Sequence, residues 1–337
     1  MQTRRLPAEW EPQSMVQFTF PHAESDWADS LAEVTSCFVR CIETVSRFQK
    51  VLVVADERER VAKLLAHLPE DRITIVACPS NDTWARDHGG ITVIQDGKPV
   101  LLDFMFNGWG LKFAANKDNL ITRTLHLWGF FNDWPREQPP MVLEGGALET
   151  DGQGTLLSTT ECLMSPNRNP HLSFAETEAA LRQYLGIDRF LWLDNGYLAG
   201  DDTDSHIDTL ARFCDPETIA YVQCTDDQDE HYAELKLMEQ ELQSFRTRAG
   251  APYRLIPLPW PTACYAEDGH RLPATYANFL IINGAVLVPT YGLPEDEEAL
   301  SILKTCFPKR EVIGINCRPL IEQHGSLHCI SMQYPLC

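Results

Sequence analysis

Short apolar runs separated by polar turns alternate along this chain with stretches whose apolar positions recur at helical spacing. Residues 15–20, 51–54 and 73–77 read as strands and 28–48 and 57–67 as helices, after which the chain arrives at Asp87. Residues 91–94 and 100–104 flank Gln95-Asp96-Gly97-Lys98, a hairpin signal, and a helical stretch at 119–127 leads on to Glu144. The order then recurs. Strands 147–149 and 155–158 about Asp151-Gly152, a helix 174–185 and a strand 189–193 lead to His206. Strands 209–213 and 219–223 about Asp215-Pro216, a helix 230–248 and a strand 253–257 lead into a loop through 260–271. Strands 276–282 and 285–289 about Asn283-Gly284, a helix 295–306 and a strand 311–315 bring the chain to Cys329.

About five strand-strand-helix-strand units result, at a spacing of roughly 60 residues, and a supersecondary unit repeated in this way buries its faces against its neighbours. The pattern points to α/β repeats packed about an axis, with the loops at equivalent unit ends converging. An ordinary α/β sheet is the alternative. No Gly/Ser-rich or Pro-rich linker divides the sequence, so one domain spanning 1–337 is expected.

A hydrophobic share of 44% is ample for a sizeable core. The basic opening Met1-Gln2-Thr3-Arg4-Arg5 runs straight into Pro7, Glu9 and Glu11, which fits neither a signal peptide nor a membrane span, and a cytoplasmic protein is expected. The net charge of −20, from 48 acidic against 28 basic residues, argues against a nucleic-acid or anionic-membrane partner and draws cations to the surface. A small cationic ligand suits it, although an acidic surface also serves solubility alone. The 11 cysteines are scattered singly with no Cys-x-x-Cys pair, so neither disulfides nor a zinc cluster is expected.

The candidate chemistry centres on Cys329, in His324-Gly325-Ser326-Leu327-His328-Cys329-Ile330. A free cysteine is ordinarily a small buried hydrophobe. Here it is accompanied by Asp82-Thr83-Trp84-Ala85-Arg86-Asp87, Leu143-Glu144-Gly145-Gly146 and Gly200-Asp201-Asp202-Thr203-Asp204-Ser205-His206-Ile207-Asp208, which together supply an imidazole and several carboxylates. Each residue has a plainer reading as well. Asp87 could pair with Arg86 or cap a helix, Glu144 could be a turn residue, and Trp84 and Trp109 could be core aromatics. His324, Ser326 and His328 read as loop-shaping neighbours, so that replacement of His328 should leave appreciable activity, and Asn81, Asp201 and Asp204 as turn residues. Two rival functions use the same residues. His206-x-Asp208 with His270 or His324 also spells a two-histidine, one-carboxylate iron site, and a polyamine-binding protein would need the carboxylates but not the thiol.

Trp84-x-Arg86-Asp87, Leu143-Glu144-Gly145-Gly146, His206-x-Asp208 and His324-Gly325-x-x-His328-Cys329, in this order and with Pro7-Ala8-Glu9-Trp10-Glu11 near the start, resemble the agmatine deiminase family. That family belongs to the guanidino-group modifying superfamily, with arginine and peptidylarginine deiminases. The resemblance covers essentially the whole chain. It implies a five-bladed α/β propeller with its site on the pseudo-fivefold axis, hydrolysis of agmatine to N-carbamoylputrescine and ammonia in putrescine biosynthesis, no cofactor and no metal, and it is compatible with a homo-oligomer. By position it implies Cys329 as nucleophile, His206 as general acid/base, and Asp87, Asp208 and Glu144 as the carboxylates of the site. It places Trp84 and Trp109 along the substrate and Asp202 and Thr203 at its distal amine. Arginine and peptidyl-arginine are the alternative substrates. One departure bears on that choice: Gly108-Trp109-Gly110 continues as Leu111-Lys112-Phe113, where the family usually carries a glycine-rich run.

The chemistry explains the residue types. A guanidinium is planar, permanently charged and forked, so two carboxylates can each take a pair of its N–H groups, a role that suits Asp87 and Asp208. A cation held beside a thiol favours thiolate, so substrate would help to activate Cys329.

Overall fold

The computed structural model describes residues 4–131 and 133–336, so Met1, Gln2 and Thr3 of the basic opening and the last cysteine, Cys337, lie outside the described residues. The chain forms a mixed α/β fold containing five sheets of three or four strands and a two-stranded ribbon, Cys264–Tyr265 with Arg271–Leu272. Four of the five sheets follow one plan. Ala211–Asp215 turns back antiparallel on Thr218–Val222, the helix Tyr232–Ser244 crosses over, and Arg254–Leu258 returns parallel. Glu149–Thr150, Thr155–Thr159 and Arg189–Leu193 repeat it through the helix Phe174–Leu185. Ile91–Gln95, Lys98–Leu102 and Arg136–Glu137 do so through Ile121–Leu127, and Leu280–Ile282, Ala285–Thr290 and Glu311–Asn316 through Asp296–Cys306. Two-residue turns join the antiparallel neighbours in three of these sheets and a four-residue turn does so in the one that starts at Glu149, whereas a parallel return needs a crossover, which is why each helix falls where it does.

The fifth sheet draws on both ends of the chain. Ser331–Pro335 lies antiparallel to Gln13–Thr19, which is parallel to Lys50–Ala55 and then Ile73–Ala77. The last strand therefore ties the Cys329 loop to the start of the chain. In Lys50–Ala55 every residue after Lys50 is buried, as a parallel strand covered on both faces requires. Phe18, Phe20, Phe38 and Ile42 pack against it, each worth roughly 1.5–3 kcal/mol on full burial. No helix among the described residues is long and apolar enough to cross a membrane. The ten described cysteines are all free and buried.

Element boundaries differ from the sequence expectation in one recurring way. The strand expected at 276–282 is confined to Leu280–Ile282, the one at 209–213 begins at Ala211, and the one at 147–149 gives way to a short 3-10 turn, Gly145–Ala147, before Glu149–Thr150. In each case the residues ahead of the strand leave the ladder to serve the site. The helix expected at 230–248 stops at Ser244, because Phe245 adopts extended backbone.

Candidate active site

The five sheets each present a polar residue two to five positions ahead of a strand: Asp87 before Ile91, Glu144 before Glu149, Asp208 before Ala211, Asn278 before Leu280 and Cys329 before Ser331. All five are buried. Asp87, Asp208, Asn278 and Cys329 meet at the thiol. Cys329 Sγ lies 3.4 Å from Asn278 Oδ1 and 3.9 Å from Asp208 Oδ2. Asn278 Oδ1 also accepts from the backbone N–H groups of His328 and Cys329 at 2.8 and 3.3 Å, while its Nδ2 donates to Asp208 O at 3.2 Å. One carboxamide thus fixes the loop that carries the thiol.

Asp87 is held without Arg86. Its Oδ2 accepts from Trp109 Nε1 at 3.0 Å and its Oδ1 from Gly146 N at 2.9 Å, whereas Arg86 turns away toward His328 O and Glu9. Glu144 is no turn residue. Both its oxygens accept from Arg168 Nε, at 2.9 and 2.8 Å, in a pair with no side-chain exposure. His206 is fully buried, with Nδ1 3.7 Å from Asp87 Oδ1 and Nε2 3.9 Å from Glu144 Oε2, and neither ring nitrogen has a hydrogen-bond partner among the described residues. Asp208 Oδ1 is likewise buried without one. A β-carbon on Gly146 would come within 2.5 Å of His206 Nδ1 and 2.8 Å of Asp87 Oδ1, so the Gly145-Gly146 pair lets the backbone approach both groups.

The thiol opens on a cavity that Asp87, Trp84, Trp109, Phe113, Asp202 and Thr203 line. Trp84 and Trp109 are thus cavity walls as well as buried aromatics, packed edge-on at 6.4 Å. Trp84 is fixed by its Nε1–H to Asp82, and Gly325 lies so close that a β-carbon there would sit 2.1 Å from the Trp84 ring. The Thr203 hydroxyl donates to Asp201 Oδ1 at 2.6 Å and accepts from His206 N at 3.1 Å, so it holds the histidine as well as lining the cavity.

A family model described as Porphyromonas-type peptidyl-arginine deiminase matches residues 5–335. The chain belongs to this family. The agmatine deiminase of Stutzerimonas stutzeri (strain A1501) is 33% identical over 353 residues, 98% of this chain and 95% of that protein. The structure of C. jejuni agmatine deiminase, a serine-for-cysteine variant with substrate bound, matches with a TM-score of 0.93 at 36% identity, over 99% of this chain and 97% of that one. A solved Porphyromonas gingivalis protein with the provisional name arginine deiminase matches with a TM-score of 0.93 at 55% identity, over 98% of each chain. The α/β fold described above is shared with these structures.

In this Porphyromonas-type family member His328 is more than a loop-shaping neighbour. Its Nδ1 lies 2.7 Å from Asp208 Oδ2 and its Nε2 2.7 Å from Glu9 Oε2, both buried. Glu9 in turn receives Arg212 at 2.9 Å, and Arg212 holds Glu149 at 2.6 Å. Asn278, Arg168, Glu9 and Arg212 all escaped the sequence reading. Only Asn278 carried a usable signal, since it stands two residues ahead of its strand, as Cys329 does, where the other three stand three to five ahead.

The electrostatics suit a cation. Burial, with Asp208 and Asp87 adding to it, pushes the Cys329 thiol well above its ordinary pKa. Burial raises Asp87 to about 6; the neighbouring His206 opposes the rise, and Asp208 and Glu144 reinforce it. Burial also works against a charged His206, but Asp87, Cys162 and Glu144 override it and hold the imidazole well above the usual range. Asp208 and Glu144 are desolvated too, yet the His328 hydrogen bond brings the first below the ordinary carboxylate value, and His206 and Arg168 do the same for the second. An imidazolium, two carboxylates and a neutral thiol therefore face one another.

The iron reading is not assembled. Among the described residues the cluster of metal-type ligands is Glu144, Cys162 and His206, with one histidine, and its glutamate is already neutralised by Arg168. His324 instead has its Nδ1 2.7 Å from Gly200 O and stacks on His270.

Proposed function

We propose that this protein is an agmatine deiminase, a hydrolase acting on the C–N bond of a linear amidine, with Cys329 as nucleophile. The observation that carries the reading is the convergence of a buried thiol, two carboxylates and an imidazolium beside an acidic, tryptophan-walled cavity that Cys329 and Asp87 line. The curated and solved relatives named agmatine deiminase, aligned over nearly the whole chain, support it.

The steps follow from the geometry. The guanidinium of agmatine enters between Asp87 and Asp208, whose Oδ1 has no other partner among the described residues. Its charge offsets the two carboxylates that raise the thiol, so Cys329 releases its proton to solvent in the complex. The sulfur adds to the guanidinium carbon. His206 gives its proton to the departing nitrogen, ammonia leaves, and an S-alkylthiouronium remains on Cys329. His206, now neutral, takes a proton from water, whose oxygen attacks the same carbon; as the C–S bond breaks, the new hydroxyl passes its proton to the departing sulfur, which restores the thiol, and N-carbamoylputrescine is released. Glu144, itself held by Arg168, orients the imidazole.

Several finer readings belong with this proposal. The five sheets, each with a buried polar residue two to five positions ahead of a strand, support a single domain built as a five-bladed α/β propeller about the site. Trp84 and Trp109 would flank the tetramethylene chain and Asp202, with Thr203, the distal amine. Lys112 is engaged by Asp204 and so is poorly placed to receive the carboxylate of arginine. A cytoplasmic location fits a metabolic substrate of this kind.

Acid quenching during turnover tests the chemistry. The Cys329 peptide should carry the mass of agmatine less ammonia. An unmodified Cys329 with steady product formation would remove the covalent route.

A further inference from the structure

The segment after Trp109 is exposed from Leu111 to Ala114, yet it carries Phe113, which meets Trp109 edge-on at 5.6 Å and lines the cavity. It is pinned at both ends. Asn107 Nδ2 donates to Asn167 O at 2.9 Å, and the Asp118 carboxylate accepts from Asn81 N at 2.6 Å. Between these pins Lys112 Nζ donates to Asp204 Oδ1 and to Asp202 O, each at 2.6 Å. Asp204 and its neighbour Ser205 both lie in the left-handed region, at φ 63° and 61°, which side-chain-bearing residues adopt only when their surroundings hold them there. The second oxygen of Asp204 accepts from Arg168 NH1 at 2.6 Å, and Arg168 NH2 donates to Thr203 O at 2.8 Å.

These contacts form one line. It runs from Lys112 through Asp204 and Arg168 to Glu144, whose Oε2 lies 3.9 Å from His206 Nε2. Burial of Asp204 would raise its carboxyl, but Lys112 and Arg168 together hold it below the ordinary value. A lysine that met Asp204 without Arg168 would be a plain surface pair. Here the shared carboxylate joins the aromatic wall of the cavity to the segment that carries Asp202 and to the support of the imidazole.

We propose that Lys112 is a positioning residue that latches the Trp109–Phe113 strap to Asp204, and that this closure sets the affinity for the aliphatic chain and distal amine of the substrate. The inference deepens the agmatine reading and rests on it. The latch lies where the sequence departs from the glycine-rich run of the family it resembles, so a glycine-built loop would have to close by other contacts.

The test compares wild type with Lys112→Met, Lys112→Arg, Asp204→Asn and the Lys112→Met/Asp204→Asn double variant, in agmatine kinetics and in backbone hydrogen exchange over 111–115 and 203–205. Lys112→Met should raise KM about fivefold, which is what a half-exposed ion pair supplies, with kcat within about twofold of wild type. Lys112→Arg should restore KM, and exchange should speed up in the methionine variant alone of the two. The double variant should be no worse than Asp204→Asn, since both remove one interaction. Unchanged KM and unchanged exchange in Lys112→Met, equal impairment in Lys112→Arg, or additive effects in the double variant would each overturn the latch. If wild type fails to turn over agmatine, the substrate reading falls, whereas the exchange comparison still decides whether Lys112 fastens the strap.

Discussion

A cationic alkylating agent should distinguish Cys329 from the other buried thiols. Chloroacetamidine and chloroacetamide share a leaving group and nearly a shape, but only the first carries an amidinium. At rest the thiol is neutral, held so by burial and by Asp208 at 3.9 Å. A cation seated between Asp87 and Asp208 would lie at a similar distance from sulfur, where a unit charge is worth about 4 kcal/mol at an effective dielectric constant of 20. That is about a thousandfold in thiolate population. A more stable thiolate is a weaker nucleophile, with a Brønsted exponent near 0.5, so the net gain in rate shrinks to about 30-fold. The assay is the pseudo-first-order loss of activity at neutral pH with each reagent, corrected for its reaction with free cysteine, followed by peptide mass spectrometry. The amidine should label Cys329 alone, at least about 30-fold faster, and Asp208→Asn should erase most of the advantage. Equal rates, or labelling spread over many cysteines, would refute the reasoning that substrate charge activates this thiol.

Cys329→Ser should abolish turnover while leaving thermal unfolding unchanged, because an alcohol is not ionised by the neighbouring cation; measurable ammonia release would contradict it. His206→Asn should be inactive in the same assay while still binding agmatine by calorimetry. His328→Ala, which strips the shared partner from the buried Glu9 and Asp208, should cost about 3 kcal/mol in urea unfolding and lower activity with it, against the sequence expectation that appreciable activity survives its replacement. With Asp87 raised to about 6, its carboxylate is lost as pH falls, so kcat/KM for agmatine should rise on going up through about 6, with the corresponding limb of kcat at lower pH because bound cation favours the carboxylate.

Much of the site could be read from the sequence because its chemistry sits at the ends of periodic units: Asp87, Glu144, His206, Asp208 and Cys329 each follow a recognisable strand or turn. What escaped was the support. Asn278 is of an ordinary turn-forming type, and only its place just ahead of a strand, shared in looser spacing with the other four, marks it. Glu9 and His328 are 319 positions apart and Arg212 and Glu9 203 apart, so no local spacing announces that they share a buried cluster. Strand starts were misplaced for the same reason, since the residues before Leu280 and Ala211 are apolar enough to extend a strand but are spent in shaping the loops of the site.

Substrate choice is tested most directly by ammonia release from agmatine, arginine and an arginyl peptide assayed side by side. Agmatine has no carboxylate, and Asp202 is among the residues that line the cavity, with Lys112 already engaged by Asp204. A mismatched charge buried there costs several kcal/mol, so kcat/KM for agmatine should exceed the other two by at least about 100-fold, and Asp202→Asn should cripple agmatine turnover. Comparable or faster hydrolysis of the arginyl peptide, with Asp202→Asn indifferent, would contradict the assignment and make the protein a peptidylarginine deiminase.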